Sequence, residues 1–262
     1  MKILVTNDDG VYAPGLWAAV RALHVIGEVV VVAPDREQSG VGPAVTLNNP
    51  VRATQVVPMV EGIEVHAVEG SPADSVILAL ETIVGNVDIV IAGINNGANL
   101  GEDVLVSGTV GAAMQGYYRG VTSIAVSVAS LRGTRFDAAA QLVAVLVQQM
   151  RHSSLAKGTL LNVNLPALGP EQINGIQITR LGSRTYADTV RHGDDGKRKY
   201  YWITRTRPAW DMEEGTDVWS IRHKYASITP LQAMMSLAPI SPDLEALPGR
   251  LAHAFSEPNN PK

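Results

Sequence analysis

Three apolar runs without polar alternation, Ile3-Leu4-Val5, Val29-Val30-Val31-Val32 and Ile89-Val90-Ile91-Ala92, constrain this chain more than any other feature. Strands of that kind are covered on both faces, as in a parallel sheet with helices on either side. The first run stops abruptly at Thr6-Asn7-Asp8-Asp9-Gly10. Open parallel sheets bind ligands beyond the carboxyl ends of their strands, so Asp8 and Asp9 fall where chemistry is expected. Adjacent carboxylates repel one another, more so away from water, and a hard divalent cation relieves that repulsion. Asp-Asp-Gly is equally a common turn composition, and the tripeptide alone supports both readings.

Helical patterns separate the runs. Pro14 and Gly15 introduce a stripe of Leu16, Val20, Leu23 and Ile26, with Gly27 at its end. Ser71-Pro72-Ala73-Asp74 starts a second helix in which Asp74 takes the capping-box position, with Val76, Ile77, Leu80, Ile83 and Val84 on its face. Further strands are expected over 121–128 and 160–165, with a helix over 136–150 between them. The alternation predicts an α/β fold with a doubly wound, mostly parallel sheet. Short β-like stretches stand around Val45-Thr46-Leu47 and Ile63-Glu64-Val65-His66. From about Gly175 the pattern turns β-rich, over 176–181, 200–205 and 218–231, which predicts an extension built on a hairpin. The expected division is a core of residues 1–175 carrying the site, a β-rich extension over 176–239, and a mobile, Pro-rich tail over 240–262.

At 262 residues with 46% hydrophobic content the chain can bury a sizeable core, and disorder is excluded. The net charge of −4 includes no long block of like charge, which speaks against wrapping duplex nucleic acid. With no cysteine there is neither a thiolate nucleophile nor a Cys-ligated metal. No segment approaches the ~18 apolar residues of a membrane span, and the first residues lack a signal-peptide core. The expected location is the cytoplasm.

Two more strand ends carry oxygen donors. Pro34-Asp35-Arg36-Glu37-Gln38-Ser39-Gly40 follows the second run, and Gly93-Ile94-Asn95-Asn96-Gly97-Ala98-Asn99-Leu100-Gly101 follows the third, longer than a tight turn requires. Asp8, Asp9, Ser39 and Asn95 together form an oxygen-only set suited to Mg²⁺ or Mn²⁺. Taken singly, Ser39 reads as a loop hydroxyl and Asn95 as a turn residue; the coincidence of three loops favours a site. Ser107-Gly108-Thr109 opens a helix of small residues whose free N–H groups suit phosphate oxygens, a role compatible with simple capping. The glycines after the first strand do not form G-x-G-x-x-G, and there is no P-loop lysine pattern. Adjacent Asp8-Asp9 also differs from the Asp-x-Asp of aspartyl-nucleophile phosphatases. The stretch from Arg180 to Arg207 mixes Arg184, Arg191, Lys197, Arg198, Lys199 and Arg205 with Tyr186, Tyr200, Tyr201 and Trp202. It suits either single-stranded nucleic acid or, preferably, a hairpin turning at Gly193-Asp194-Asp195-Gly196 whose aromatics pack on a partner subunit.

In these motifs the chain resembles the SurE family of metal-dependent 5′-nucleotidases and acid phosphatases. The resemblance rests on Asn7-Asp8-Asp9-Gly10 with Ala13-Pro14-Gly15, Ala33-Pro34-Asp35 with Gln38-Ser39-Gly40, Gly93-Ile94-Asn95 with Gly97 and Asn99-Leu100-Gly101, Ser107-Gly108-Thr109-Val110, and Ser227-Ile228-Thr229-Pro230-Leu231. It implies a Rossmann-like sheet, one divalent cation per subunit on Asp8, Asp9, Ser39 and Asn95, and a C-terminal hairpin exchanged within a homodimer or homotetramer. Val106 stands where the family usually has Tyr, and Gln115 where Glu is frequent. The expected activity is hydrolysis of nucleoside 5′-monophosphates, with activity on 3′-nucleotides or polyphosphate left open by the sequence. Asp8 or Asp9 orients or deprotonates the attacking water, and Asn96, Ser107, Gly108 and Thr109 hold the phosphoryl group. The competing expectation is a non-catalytic nucleotide-binding regulatory module on the same sheet edge.

Overall fold

The first apolar run forms β1 (Lys2–Thr6), in which Ile3, Leu4 and Val5 have no exposed surface, as a strand at the centre of a two-sided sheet must. The structure is a computed structural model describing residues 1–130, 134–151, 158–185, 190–203, 209–210, 213–233, 241–242, 244–248 and 251. After β1 comes α1 (Pro14–His24), opened by Pro14, whose missing N–H costs nothing at a helix start. Its face of Leu16, Trp17, Val20 and Leu23 is buried. Then follow β2 (Glu28–Pro34), β3 (Ala53–Gln55), β4 (Glu64–Val68) and α2 (Pro72–Leu78). Ser71 and Asp74 close the expected capping box at the start of α2, and the helix widens into a π turn at Ala79–Ile83.

The chain continues through β5 (Ile89–Asn96), α3 (Gly108–Tyr118), β6 (Thr122–Ala129), α4 (Asp137–Arg151) and β7 (Leu160–Pro166). The last described part holds β8 (Gly175–Ile178), β9 (Arg184–Thr185), β10 (Val190–Asp194), β11 (Lys199–Ile203), β12 (Ala209–Trp210), α5 (Asp217–Arg222) and β13 (Tyr225–Leu231).

The main sheet has nine strands in the order β3-β4-β2-β1-β5-β6-β7-β13-β8. From β4 to β7 all pairings are parallel; β3 runs antiparallel to β4 and β13 antiparallel to β7. Ile3 and Val5 point into one apolar layer, with Leu16, Trp17 and Val143 of α1 and α4. Leu4 points into the other, with Val76, Val110 and Ala113 of α2 and α3. The fold is therefore the expected doubly wound, mostly parallel α/β sheet. Strand order reverses between β1 and β5, because the chain builds β2 and β4 on one side before α2 carries it across. A crevice at such a reversal is where α/β sheets hold ligands.

Several expectations need correction. The stretch 218–231 is a helix and then a strand, because Thr216 Oγ1 accepts from Trp219 N at 3.2 Å and caps α5. Val45-Thr46-Leu47 forms no strand; Thr46 is tied to Asp74 through its N–H (2.8 Å) and its hydroxyl (2.6 Å). By itself, the chain divides into two compact units, Met1–Leu231 and Gln232–Lys262. In the first unit β8 and β13 belong to the main sheet, while β10 and β11 form the expected hairpin as a separate ladder. In the second unit, residue 242 and residues 244–248 are helical and exposed. The rest of the tail, with Tyr186, Arg205 and Arg207 of the basic stretch, lies outside the described residues. Among the described residues no helix is long and apolar enough to cross a membrane.

Candidate metal and phosphate site

Backbone hydrogen bonds fasten the three strand-end loops together. Gln38 N donates to Asp8 O at 2.7 Å and Val11 N to Pro34 O at 2.8 Å, which sets the loop after β2 beside the loop after β1. Asn7 Nδ2 donates to Gly10 O at 2.9 Å and closes the first loop on itself. On the other side Asn96 N donates to Asp9 Oδ2 at 3.1 Å. Gly15 permits this approach of α1 to the end of β5, since a Cβ there would lie 1.9 Å from Ile94 O. Ser39 and Asn95 thus each adjoin a residue bonded to the Asp8-Asp9 pair.

Asp8 is only 4% exposed. Thr109 Oγ1 donates to its Oδ1 at 2.6 Å. Burial pushes the Asp8 carboxyl up to about 6; the Thr109 hydrogen bond opposes the rise and the neighbouring Asp9 charge adds to it. Asp9 is half-buried and also raised, first by burial, with Asn96 N–H opposing and Glu37 adding repulsion. Ser39 is exposed, and its hydroxyl donates to Glu37 Oε1 at 2.7 Å rather than to the aspartates. Asn95 is half-buried; its Nδ2 donates to Gly97 O at 2.7 Å, a bond that does not use its Oδ1. Asn96 is exposed, and its Oδ1 accepts from Thr134 Oγ1.

Ser107 caps α3, its Oγ accepting from Val110 N at 3.1 Å. The helix start is pressed against Asp8: a Cβ on Gly108 would lie 2.9 Å from Asp8 Cβ. Free N–H groups at a helix start attract anions, and here they adjoin the carboxylate pair. A cation between the two reconciles the neighbouring negative charges. The residues fit a hard divalent ion, because the donors are oxygen only and, among the described residues, neither Asp8 nor Asp9 forms an ion pair. Among the described residues there is no cluster of three His, Cys, Asp or Glu that could hold a metal ion.

Sequence reasoning passed over a buried amide network behind the site. Asn99 N donates to Asn164 Oδ1 (2.9 Å) and Asn99 Nδ2 to Ser127 Oγ (2.8 Å). Asn99 O accepts from Asn162 Nδ2 (2.8 Å) and Asn164 Nδ2 (3.1 Å). These bonds pin the loop after β5 to β6 and β7. The available signal was two asparagines in the otherwise apolar stretch Leu160-Leu161-Asn162-Val163-Asn164-Leu165. Glu37, the partner of Ser39, was also passed over, as one polar residue among several in its loop.

Comparison with known proteins follows the same lines. Residues 3–188 match the family model described as Survival protein SurE. A 5′-nucleotidase SurE of Dehalococcoides mccartyi (strain CBDB1) is 45% identical over 243 residues, covering 92% of this chain and 92% of that protein. One from Moorella thermoacetica (strain ATCC 39073 / JCM 9320) is 46% identical, covering 88% and 90%. Among solved structures, the crystal structure of the SurE protein from Aquifex aeolicus superposes with a TM-score of 0.82 at 37% identity, covering 95% of this chain and 100% of that one.

Proposed function

Since the chain belongs to the SurE family, we propose that it is a 5′-nucleotidase that hydrolyses nucleoside 5′-monophosphates with one divalent cation, Mn²⁺ or Mg²⁺, per subunit. The observation that most supports this is the carboxylate pair of buried Asp8 and half-buried Asp9 at the strand-order reversal, beside the N-terminus of α3. Asp8, Asp9, Ser39 and Asn95 would hold the ion. When bound, such an ion withdraws electron density from a phosphoryl group and acidifies water.

The chain's own groups account for the rest. The N–H groups at Ser107, Gly108 and Thr109, with the Asn96 amide, donate to the phosphoryl oxygens as charge accumulates there. Asp9, more exposed than Asp8, orients the attacking water and receives its proton. A bond forms from water oxygen to phosphorus, the bond to the 5′ oxygen breaks, and the proton taken up by Asp9 passes to that oxygen, so that the nucleoside departs as its free hydroxyl.

Release of inorganic phosphate from a panel of nucleoside 5′- and 3′-monophosphates and polyphosphate, with Mn²⁺, with Mg²⁺ and with chelator, tests the reading. Metal-dependent release from the 5′-monophosphates is expected. Nucleotide binding without release under either metal would favour a regulatory module instead. The exposed Tyr200, Tyr201 and Trp202 of the hairpin support a homodimer or homotetramer, which light scattering of the purified chain measures. The cytoplasm is the proposed compartment, checked by fractionation.

A further inference from the structure

Thr109 stands in the sequence as part of a phosphate cradle, yet its side chain faces the other way. The residue is fully buried, and its Oγ1 lies 2.6 Å from Asp8 Oδ1. Ser107 already caps α3, so the Thr109 hydroxyl is not needed for the helix's own N–H groups. A threonine in a helix is held to two main χ1 rotamers, which narrows the directions this donor can take. The missing side chain of Gly108 brings the donor into range: a Cβ there would lie 3.0 Å from Asp8 Oδ2.

We propose that Thr109 is a positioning residue for the cation site: by occupying Asp8 Oδ1 it locks the carboxylate, so that Asp8 meets the cation through Oδ2 alone. The inference rests on the reading of Asp8 as a ligand. A hydroxyl bonded to a carboxylate is a strong, directional contact, and partners that orient a metal ligand typically change affinity by ~10–100-fold when removed. Without the hydroxyl, Asp8 keeps only the smaller help of the Thr109 and Asp8 N–H groups, and its carboxylate is held less firmly toward the cation.

Mn²⁺ titration of the purified full chain by calorimetry, without substrate, reads this directly. Thr109→Val is expected to weaken Mn²⁺ binding roughly 10–100-fold, while Thr109→Ser, which keeps the donor, stays within about 3-fold of the parent. Melting of each variant in chelator accompanies the titration; if Thr109→Val does not fold, Thr109→Ala takes its place against Thr109→Ser. Unchanged affinity in the variant without a hydroxyl overturns the proposal, and so does equal weakening by the Ser variant, which would mark a packing role. A parent chain that binds no Mn²⁺ overturns it together with the metal reading. Binding of Mn²⁺ that depends on the Thr109 hydroxyl, with no phosphate release, removes the enzyme reading and leaves this assignment standing.

Discussion

Two buried carboxylate sites in this molecule are treated in opposite ways. Asp217, at the start of α5, is wholly buried and raised from its ordinary range by burial, yet three backbone N–H groups converge on it. Gly101 N reaches Oδ2 at 2.8 Å, and Gly182 N and Val218 N reach Oδ1 at 2.8 Å each. Asp8 is buried almost as completely, but its main donor is the Thr109 hydroxyl, with smaller help from the N–H groups of Thr109 and of Asp8 itself, and it has Asp9 for a neighbour. A carboxylate placed to hold a fold together is surrounded with donors by the fold itself. One left short of donors beside a second negative charge is placed for something that arrives from outside.

The largest test of this contrast is Asp8→Asn. Phosphate release with Mn²⁺ is expected to fall by at least ~10³-fold, about 4 kcal/mol of barrier, with an unchanged circular dichroism spectrum. Melting of the metal-free variant should equal or exceed that of the parent, since the amide oxygen still accepts from Thr109. Asp217→Ala should do the reverse. Three N–H groups lose their acceptor at ~1–3 kcal/mol each, so urea unfolding should report a loss of about 3 kcal/mol or more. Molecules that remain folded should still release phosphate in the cold. Comparable activity losses in the two variants would erase the distinction.

Stability against pH sharpens it further. The folded chain holds the Asp8 proton up to about 6, above the ordinary carboxylate value of the unfolded chain. That contribution is complete below the unfolded value and is lost as pH rises through 6. In chelator, Asp8→Asn should therefore gain on the parent between pH 4 and pH 8, by at most about 3 kcal/mol. Mn²⁺ should abolish or reverse the gain; a difference flat with pH would show that Asp8 is not the group responsible. The smallest effect is expected from Thr216→Ala, which removes the cap of the helix that carries Asp217 and leaves the carboxylate itself intact. About 1 kcal/mol of stability should be lost in urea, with catalysis and Mn²⁺ affinity unaltered.

What the sequence reveals follows from what is local in it. Buried strands announce themselves by unbroken apolar runs, and their ends follow, so Asp8-Asp9, the Ser39 loop and the Asn95 loop could be set side by side before any coordinates. Ser71 and Asp74 were legible because a capping box is complete within four positions. The Thr109–Asp8 bond was not, since it joins residues far apart through the packing of α3 on the end of β1. The Asn99 network was hidden for the same reason, its members meeting only through the registers of β6 and β7. Ser39 shows the limit of strand-end logic: its loop arrives as expected, but its hydroxyl is engaged by Glu37, a matter of rotamer rather than topology. Residues 217–222 misled because Val218, Trp219 and Ile221 favour strands by composition, while the signal that prevailed was the Thr216 cap.

β13 enters the sheet between β7 and β8, although β8 precedes it by the whole length of the hairpin and α5. The edge strand therefore hangs on a neighbour that the ribosome has not yet made when the edge strand emerges. Until residue 231 is clear of the exit tunnel, β7 presents an unpaired rim to the cell and β8 has nothing to zip against. Such late, long-range closure is slow, and it makes the final third of this chain the step at which synthesis commits the molecule to its native form.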